Sequence, residues 1–143
     1  MPTIAVVNGH AATGGYALAM CHDYVIMRRN RGVLYMSEVD LGLTFPYYFT
    51  ALFRAKFGSA QAQRDVMLQG AKIKGEEAVR IGIVDFAMHD SEEEVADASL
   101  HLGEQLASRK WNGQVYTEIK KSLYPELCSA LGLVQKVVAN SKL

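Results

Sequence analysis

VVNGHAATGGYALAMCHDYVIM, residues 6–27, is the stretch of sequence that decides the fold. An apolar, β-branched run over residues 3–8 leads into it and predicts a buried strand that ends in a turn. The pair Gly14-Gly15 then opens a short apolar segment that predicts a buried helix. A second apolar run, residues 23–28, predicts the next strand. The order strand, helix, strand indicates an α/β fold.

Downstream of this stretch, the chain predicts one more core strand and then mainly helices. Residues 32–36 form the third apolar strand, and Pro46 suits the first position of a helix. From Pro46 onward, apolar residues recur at helical spacing. The predicted helices cover residues 47–57, 60–69, 74–81, 92–108, 115–123 and 127–138, with one short strand at 83–86.

Composition and charge exclude several classes of function. The 143 residues suit one domain. The charges of 15 basic and 15 acidic side chains cancel, so the sequence does not indicate a nucleic-acid-binding surface. No apolar run is long enough to span a bilayer, and two cysteines do not make a disulfide framework. The four histidines lack metal-ligand spacing. We therefore expect a soluble intracellular protein with no membrane span, no bound metal and no nucleic-acid partner.

The glycine-rich loop at residues 8–15 is the first candidate site. A helix that starts at Gly14 directs free backbone N–H groups and the positive end of its dipole towards the loop. Such groups can hold an anion or an oxyanion that develops during a reaction. A tight strand-to-helix turn without a ligand explains the pattern equally well. The loop lacks the spacing of a Walker phosphate loop or of GxGxxG.

Glu38 is the candidate acid–base residue. It follows the third predicted strand directly and lies in a segment rich in Leu, Phe and Tyr. Burial in apolar surroundings makes a carboxylate a competent base near neutral pH. Taken alone, a carboxylate in this position is more often a capping or surface residue.

Together, the two segments resemble the enoyl-CoA hydratase/isomerase (crotonase) superfamily. Residues 6–27 resemble the signature "NG.A.GGG..LA..CD", and SEVDLGLTFP, residues 37–46, resembles the block that follows it. RDVMLQGAKIKGEEAVRIGIVD, residues 64–85, extends the resemblance through the helices. It implies the C-terminal portion of the crotonase (ClpP-like) fold over residues 1–138: a few core strands followed by a helical region. The resemblance also implies that the family's N-terminal segment, which carries a second oxyanion donor, is missing.

Within that superfamily, MRRNRGVLYMSEVDLGL, residues 27–43, is most similar to plant peroxisomal Δ3,Δ2-enoyl-CoA isomerases. The match implies that Gly14 supplies one oxyanion-hole N–H and that Glu38 is the catalytic carboxylate. Ala17 stands where hydratases carry their other catalytic glutamate, which favours an isomerase over a hydratase. Thr13 replaces the first glycine of the family's usual triplet, a change that we expect to be tolerated. The substrate itself would carry coenzyme A, so no separate cofactor is expected.

Two alternatives to an isomerase stay open at this stage. One is a hydratase-like activity on enoyl-CoA, and the other is a truncated, non-catalytic form that associates with full-length subunits. The final residues, Ser141-Lys142-Leu143, match the peroxisomal address. Residues 139–143 are therefore expected to be a targeting tail that an import receptor binds, and the family resemblance implies a homotrimer.

Overall fold

The first quarter of the chain contains four short strands and one helix. The computed structural model describes residues 1–137. The elements are β1 (Ile4–Val7), β2 (Ala11–Ala12), α1 (Gly14–Met20), β3 (Tyr24–Met27) and β4 (Leu34–Tyr35). β1 pairs in parallel with β3, and β2 pairs in parallel with β4. α1 makes the crossover that parallel pairing requires, so both strand pairs keep the same direction.

Helices make up the rest of the described chain. They are α2 (Glu38–Leu41), α3 (Tyr47–Lys56), α4 (Ala60–Met67), α5 (Gly75–Arg80), α6 (Glu92–Ser108), α7 (Gly113–Leu123) and α8 (Pro125–Ala130). α6 begins as its sequence predicts, because the Ser91 side chain accepts a hydrogen bond from the Glu94 N–H at 3.1 Å. No helix within residues 1–137 is long and apolar enough to cross a membrane.

The core lies between the strands, α1 and the first of the later helices. Its largest fully buried side chains come from α1, β3, β4, α3 and α4 and from the residue that follows β4: Tyr16, Met20, Met27, Leu34, Met36, Leu52, Phe53 and Val66. Burying one large apolar side chain stabilises the fold by about 1.5–3 kcal/mol. The core therefore holds α1 and β4, the two elements nearest the candidate site residues, in fixed positions.

The strands occupy the predicted places but are shorter than the predicted residues 3–8, 23–28 and 32–36. The third strand is short because Gly32 has a φ of +94°, which a strand residue does not adopt. The predicted strand at 83–86 is wrong, because this segment makes only an isolated bridge from Phe86 to Ile26.

The helical half differs from the prediction at two points. Helices do not start only at Pro46, since α2 precedes it, and Pro46 itself lies outside α3 with a ψ of 146°. The predicted helix 127–138 is too long, because Gly132 at φ +66° follows the end of α8. The left-handed Gly132 directs its N–H to the Ser129 carbonyl at 3.1 Å and stops the helix. Residue 138 and the predicted tail lie outside the described residues.

Asp23 joins three parts of the chain. Its carboxylate accepts hydrogen bonds from the Thr3 N–H at 2.8 Å and the Thr3 hydroxyl at 3.0 Å. It also forms an ion pair with Lys120 of α7 at 2.7 Å. Burial alone would raise the pKa of Asp23, but the hydrogen bonds from Lys120 and Thr3 outweigh burial and lower this pKa. The carboxylate therefore attaches α7 to the segment that leads into β1.

We expect Asp23→Asn to lower the free energy of unfolding by about 1 kcal/mol at neutral pH. Because the folded-state pKa of Asp23 is lowered, its stabilisation is present above the unfolded-state pKa and is lost as pH falls through the folded-state pKa. Urea unfolding of both proteins at a series of pH values measures the difference, which should shrink in acid. A difference that does not change with pH would contradict the ion pair as its cause.

Candidate active site

The two candidate site residues follow the carboxyl ends of neighbouring parallel strands. Ala12 of β2 pairs with Tyr35 of β4, and the Thr13 N–H donates to the Tyr35 carbonyl at 3.0 Å. Gly14 comes directly after Thr13, and Glu38 lies three residues after Tyr35. The structure therefore brings both to the same edge of one sheet, the edge at which α/β proteins place their ligands.

Gly14 presents free backbone donors at this edge. The first hydrogen bond of α1 runs from the Ala17 N–H to the Thr13 carbonyl at 2.9 Å. The N–H groups of Gly14 and Gly15 precede that bond and have no acceptor within the helix. Both glycines are exposed, and a Cβ built on Gly14 meets no atom within 4 Å. An acceptor atom can therefore approach these N–H groups from solvent.

Glu38 carries a buried carboxylate. It is the first residue of α2 and is only 7% exposed, and its Oε2 atom has no hydrogen-bond partner among the described residues. The Leu43 N–H donates to the Glu38 carbonyl at 2.9 Å, which fixes the backbone that carries the side chain. The alternative of a surface or capping carboxylate is thus wrong. A buried polar atom without a partner costs about 1–3 kcal/mol, a cost that functional sites commonly carry.

Thr13 has an unusual backbone conformation for its residue type. Its φ is 47° and its ψ is −115°, a region that glycine adopts readily and a β-branched residue avoids. The strained residue lies between β2 and α1, immediately before the free N–H groups. Threonine at position 13, which we expected to be tolerated, therefore has a conformational cost of about 1–2 kcal/mol.

We expect Thr13→Gly to raise the free energy of unfolding by about 1 kcal/mol, because glycine adopts this φ without strain but loses more entropy on folding. Chemical unfolding monitored by circular dichroism measures the change. Thr50→Gly is a matched control, since Thr50 lies within α3 and the same substitution should destabilise there. A loss of stability in Thr13→Gly would show that relief of the strained φ does not outweigh the entropy that glycine loses.

Tyr16 is a site-adjacent residue that the sequence pattern did not single out. Its side chain is fully buried, and its hydroxyl has no hydrogen-bond partner among the described residues. Burial raises the pKa of Tyr16, so the hydroxyl stays protonated. The ring packs edge-on against Phe53 at 5.1 Å between centroids, which attaches the start of α1 to α3. Aromatic spacing alone does not reveal such a contact across elements.

The surface beside Glu38 is apolar. Large apolar side chains are exposed along the segment that follows Glu38: Val39, Leu41, Leu43, Tyr47 and Tyr48. Clustered exposed apolar side chains are typical of a binding surface.

Ala17 of α1 is 4% exposed, and its methyl group cannot transfer a proton. Within the described part of the chain, no group of three or more His, Cys, Asp or Glu residues could hold a metal ion.

Comparison with curated sequences gives both a family match and similar proteins. A family model described as enoyl-CoA hydratase/isomerase matches residues 1–139. The chain is 62% identical over its full length to the peroxisomal enoyl-CoA delta isomerase 2 of Arabidopsis thaliana. It is 59% identical over its full length to enoyl-CoA delta isomerase 3 of the same plant. In both cases it spans 60% of the relative's own length.

Comparison with solved structures concerns the fold alone. The solved structure of an Mtb enoyl-CoA isomerase aligns with this chain at a TM-score of 0.80 and 20% sequence identity. The alignment covers 92% of this chain and 55% of the solved chain. An enoyl-CoA hydratase from Mycobacterium ulcerans aligns with a TM-score of 0.79 at 21% identity, over 92% and 55% of the two chains. The α/β crotonase fold predicted from the sequence is confirmed.

Proposed function

Because the chain belongs to the enoyl-CoA hydratase/isomerase family, we propose that it forms the catalytic part of a Δ3,Δ2-enoyl-CoA isomerase. The observation that carries the proposal is the buried carboxylate of Glu38, whose Oε2 atom has no hydrogen-bond partner among the described residues, at the sheet edge that also bears Gly14. The high identity to two plant delta isomerases supports the same activity. The substrate class would be 3-enoyl-CoA thioesters formed during β-oxidation of unsaturated fatty acids.

Glu38 would move a proton between two carbons of the acyl chain. Its carboxylate removes a proton from C2 of the 3-enoyl thioester, and the C–H electron pair passes into a dienolate whose negative charge reaches the thioester oxygen. The protonated Glu38 then returns the proton to C4, which leaves the double bond between C2 and C3. One carboxylate suffices for both steps, so the alanine at position 17 is compatible with this reaction.

Gly14 would stabilise the dienolate oxygen through its backbone N–H. The free N–H groups of Gly14 and Gly15 lie at the start of α1, where the helix dipole also favours negative charge. Loss of one donor from an oxyanion hole costs about 2.7–4 kcal/mol.

Incubation of the purified chain with 3-enoyl-CoA tests the proposal. We expect the ultraviolet absorbance of the conjugated 2-enoyl thioester to rise, and proton NMR of the product to show no 3-hydroxyacyl-CoA. The hydratase alternative predicts that 3-hydroxyacyl-CoA forms when 2-enoyl-CoA is supplied. Failure to shift the double bond, with or without hydration, would overturn the isomerase proposal for this chain.

A second candidate function, association with longer family members, is supported by the free edge of β1. Among the described residues β1 pairs only with β3, and a groove of about 630 Å³ is lined by β1, residues 8–12 and α1. An unpaired strand edge can accept another strand. Mixing the chain with the full-length Arabidopsis isomerase and measuring mass by light scattering tests this, as well as the homotrimer. Two separate peaks of unchanged mass would exclude association.

The carboxyl-terminal tripeptide supports delivery to peroxisomes through an import receptor. The name of one plant relative describes that protein as peroxisomal. The partners on this view are the receptor and the acyl-CoA substrate. A fluorescent protein fused in front of the chain should accumulate in peroxisomes, whereas the same fusion without Ser141-Lys142-Leu143 should stay outside them. Equal distribution of the two fusions would reject the address.

A further inference from the structure

The turn at Gly70, between α4 and α5, lies against the short helix that carries Glu38. A Cβ built on Gly70 would come within 3.0 Å of the Met36 carbonyl oxygen. It would also come within 3.3 Å of both the Asp40 Oδ2 and the Val39 Cγ1. These three neighbours lie on both sides of Glu38 in the sequence. The bare Cα of Gly70 therefore allows this turn to lie a few tenths of an ångström closer to α2 than a residue with a Cβ would.

The turn cannot easily move away from α2. Ile73 is joined to Leu34 by two backbone hydrogen bonds, one in each direction, at 2.8 and 2.9 Å. The Lys72 ammonium also lies 5.7 Å from the centre of the Tyr35 ring. Residues 70–73, here called the 70–73 segment, are therefore attached to β4, the strand that leads into Glu38. Extra volume at Gly70 would be relieved mainly by displacement of α2, because α2 has only four residues.

We propose that Gly70 is a positioning residue for Glu38, an inference that rests on the proposed role of Glu38 as the base. The 70–73 segment is joined to β4 by hydrogen bonds and contacts α2 at a distance that a Cβ on Gly70 would increase by a few tenths of an ångström. The φ of +59° at Gly70 provides a second reason for glycine, but that reason is conformational and unrelated to α2. The two reasons are separable by experiment.

Gly82 offers a matched control for Gly70. It also has a left-handed backbone, with φ +73°, and it follows the end of α5, but a Cβ there meets no atom within 4 Å. Gly70→Ala and Gly82→Ala therefore carry a similar backbone strain, and only Gly70→Ala presses on α2. A displacement of about 1 Å in a catalytic group costs on the order of 100-fold in rate. For the few tenths of an ångström needed here, we expect kcat to fall about tenfold in Gly70→Ala and to change less than about twofold in Gly82→Ala.

Steady-state kinetics with 3-enoyl-CoA should show the loss in kcat with little change in KM, since Gly70→Ala is expected to act through the position of Glu38. Val39→Ala removes the Cγ1 neighbour and should restore part of kcat when it is combined with Gly70→Ala. Equal kcat values for Gly70→Ala and Gly82→Ala would overturn the positioning role.

Amide hydrogen exchange tests the positioning role of Gly70 even if the parent chain has no isomerase activity. The Leu43 N–H donates to the Glu38 carbonyl, so its exchange rate reports the geometry of α2. We expect faster exchange at Leu43 in Gly70→Ala than in Gly82→Ala. If the parent chain has no isomerase activity but this difference is present, the proposed function fails while the mechanical coupling stands. If the parent is active and both variants exchange alike at Leu43, the coupling fails while the function stands.

Discussion

Glu38→Gln is expected to lower the rate of double-bond isomerisation by about 100-fold to 10,000-fold, because glutamine cannot accept a proton from C2 and return it to C4. The amide keeps the shape and the buried position of the side chain, which is only 7% exposed. Any loss of rate therefore reports the missing proton transfer rather than a rearranged pocket. The assay is the rise in absorbance of the conjugated 2-enoyl-CoA product.

The same substitution should leave the fold intact or slightly stabilise it. The Oε2 atom of Glu38 has no hydrogen-bond partner among the described residues, so the substitution breaks no hydrogen bond at this atom and removes an ionisable group from a buried position. Replacing it with a neutral amide should change the free energy of unfolding by no more than about 1 kcal/mol, in the stabilising direction. A loss of activity accompanied by unfolding would indicate a structural role instead.

Asp97→Asn is the matched control for Glu38→Gln. Asp97 is an exposed carboxylate on α6, and its replacement by an amide makes the same chemical change away from the sheet edge. We expect it to retain the parent's turnover within about twofold, as surface substitutions usually do. Retained turnover in Glu38→Gln would remove Glu38 as the base.

Local sequence patterns predicted much of the fold, and the differences have identifiable causes. α6 was predictable because Ser91 and the acidic residues after it form a helix start that depends on neighbouring residues only. The two-residue strand β2 was not predicted, because it depends on pairing with β4, which no single window of sequence contains. The end of α8 was present in the sequence as Gly132, but the apolar residues beyond it resembled a continuing helix.

Some features of the candidate site were also predictable from the sequence, and others depend on the assembled structure. Glu38 and Gly14 were identified from two motifs that occur in the correct order, and only the two motifs together indicated the family. The burial of Glu38 and the strain at Thr13 are properties of the assembled structure, because each depends on segments distant in sequence. The contact of Gly70 with α2 is of the same kind, since it joins a turn between helices to a residue more than thirty positions earlier.

Gly32→Ala is expected to be the most destabilising of these substitutions. Gly32 has a φ of +94°, and a Cβ built on it would lie 2.1 Å from the Gly9 carbonyl oxygen and 2.5 Å from the Gly9 carbonyl carbon. Both neighbours are backbone atoms, so no flexible side chain can rotate away. The loop cannot retreat, because the Ala11 N–H donates to the Val33 carbonyl at 3.0 Å, next to Gly32 in the sequence.

Relief of that overlap requires the loop at residues 8–12 to separate from Gly32, which breaks the approach of β2 to β4. Overpacking of this kind costs about 1–3 kcal/mol, and a non-glycine residue in such a conformation costs about 1–3 kcal/mol more. We expect a total loss of about 4 kcal/mol, a large part of the stability of a small domain. Urea unfolding against Gly82→Ala isolates the steric part, because that variant has a similar φ in open space. Equal stability of the two variants would show that the contact between Gly9 and Gly32 does not hold the loop that leads to Gly14.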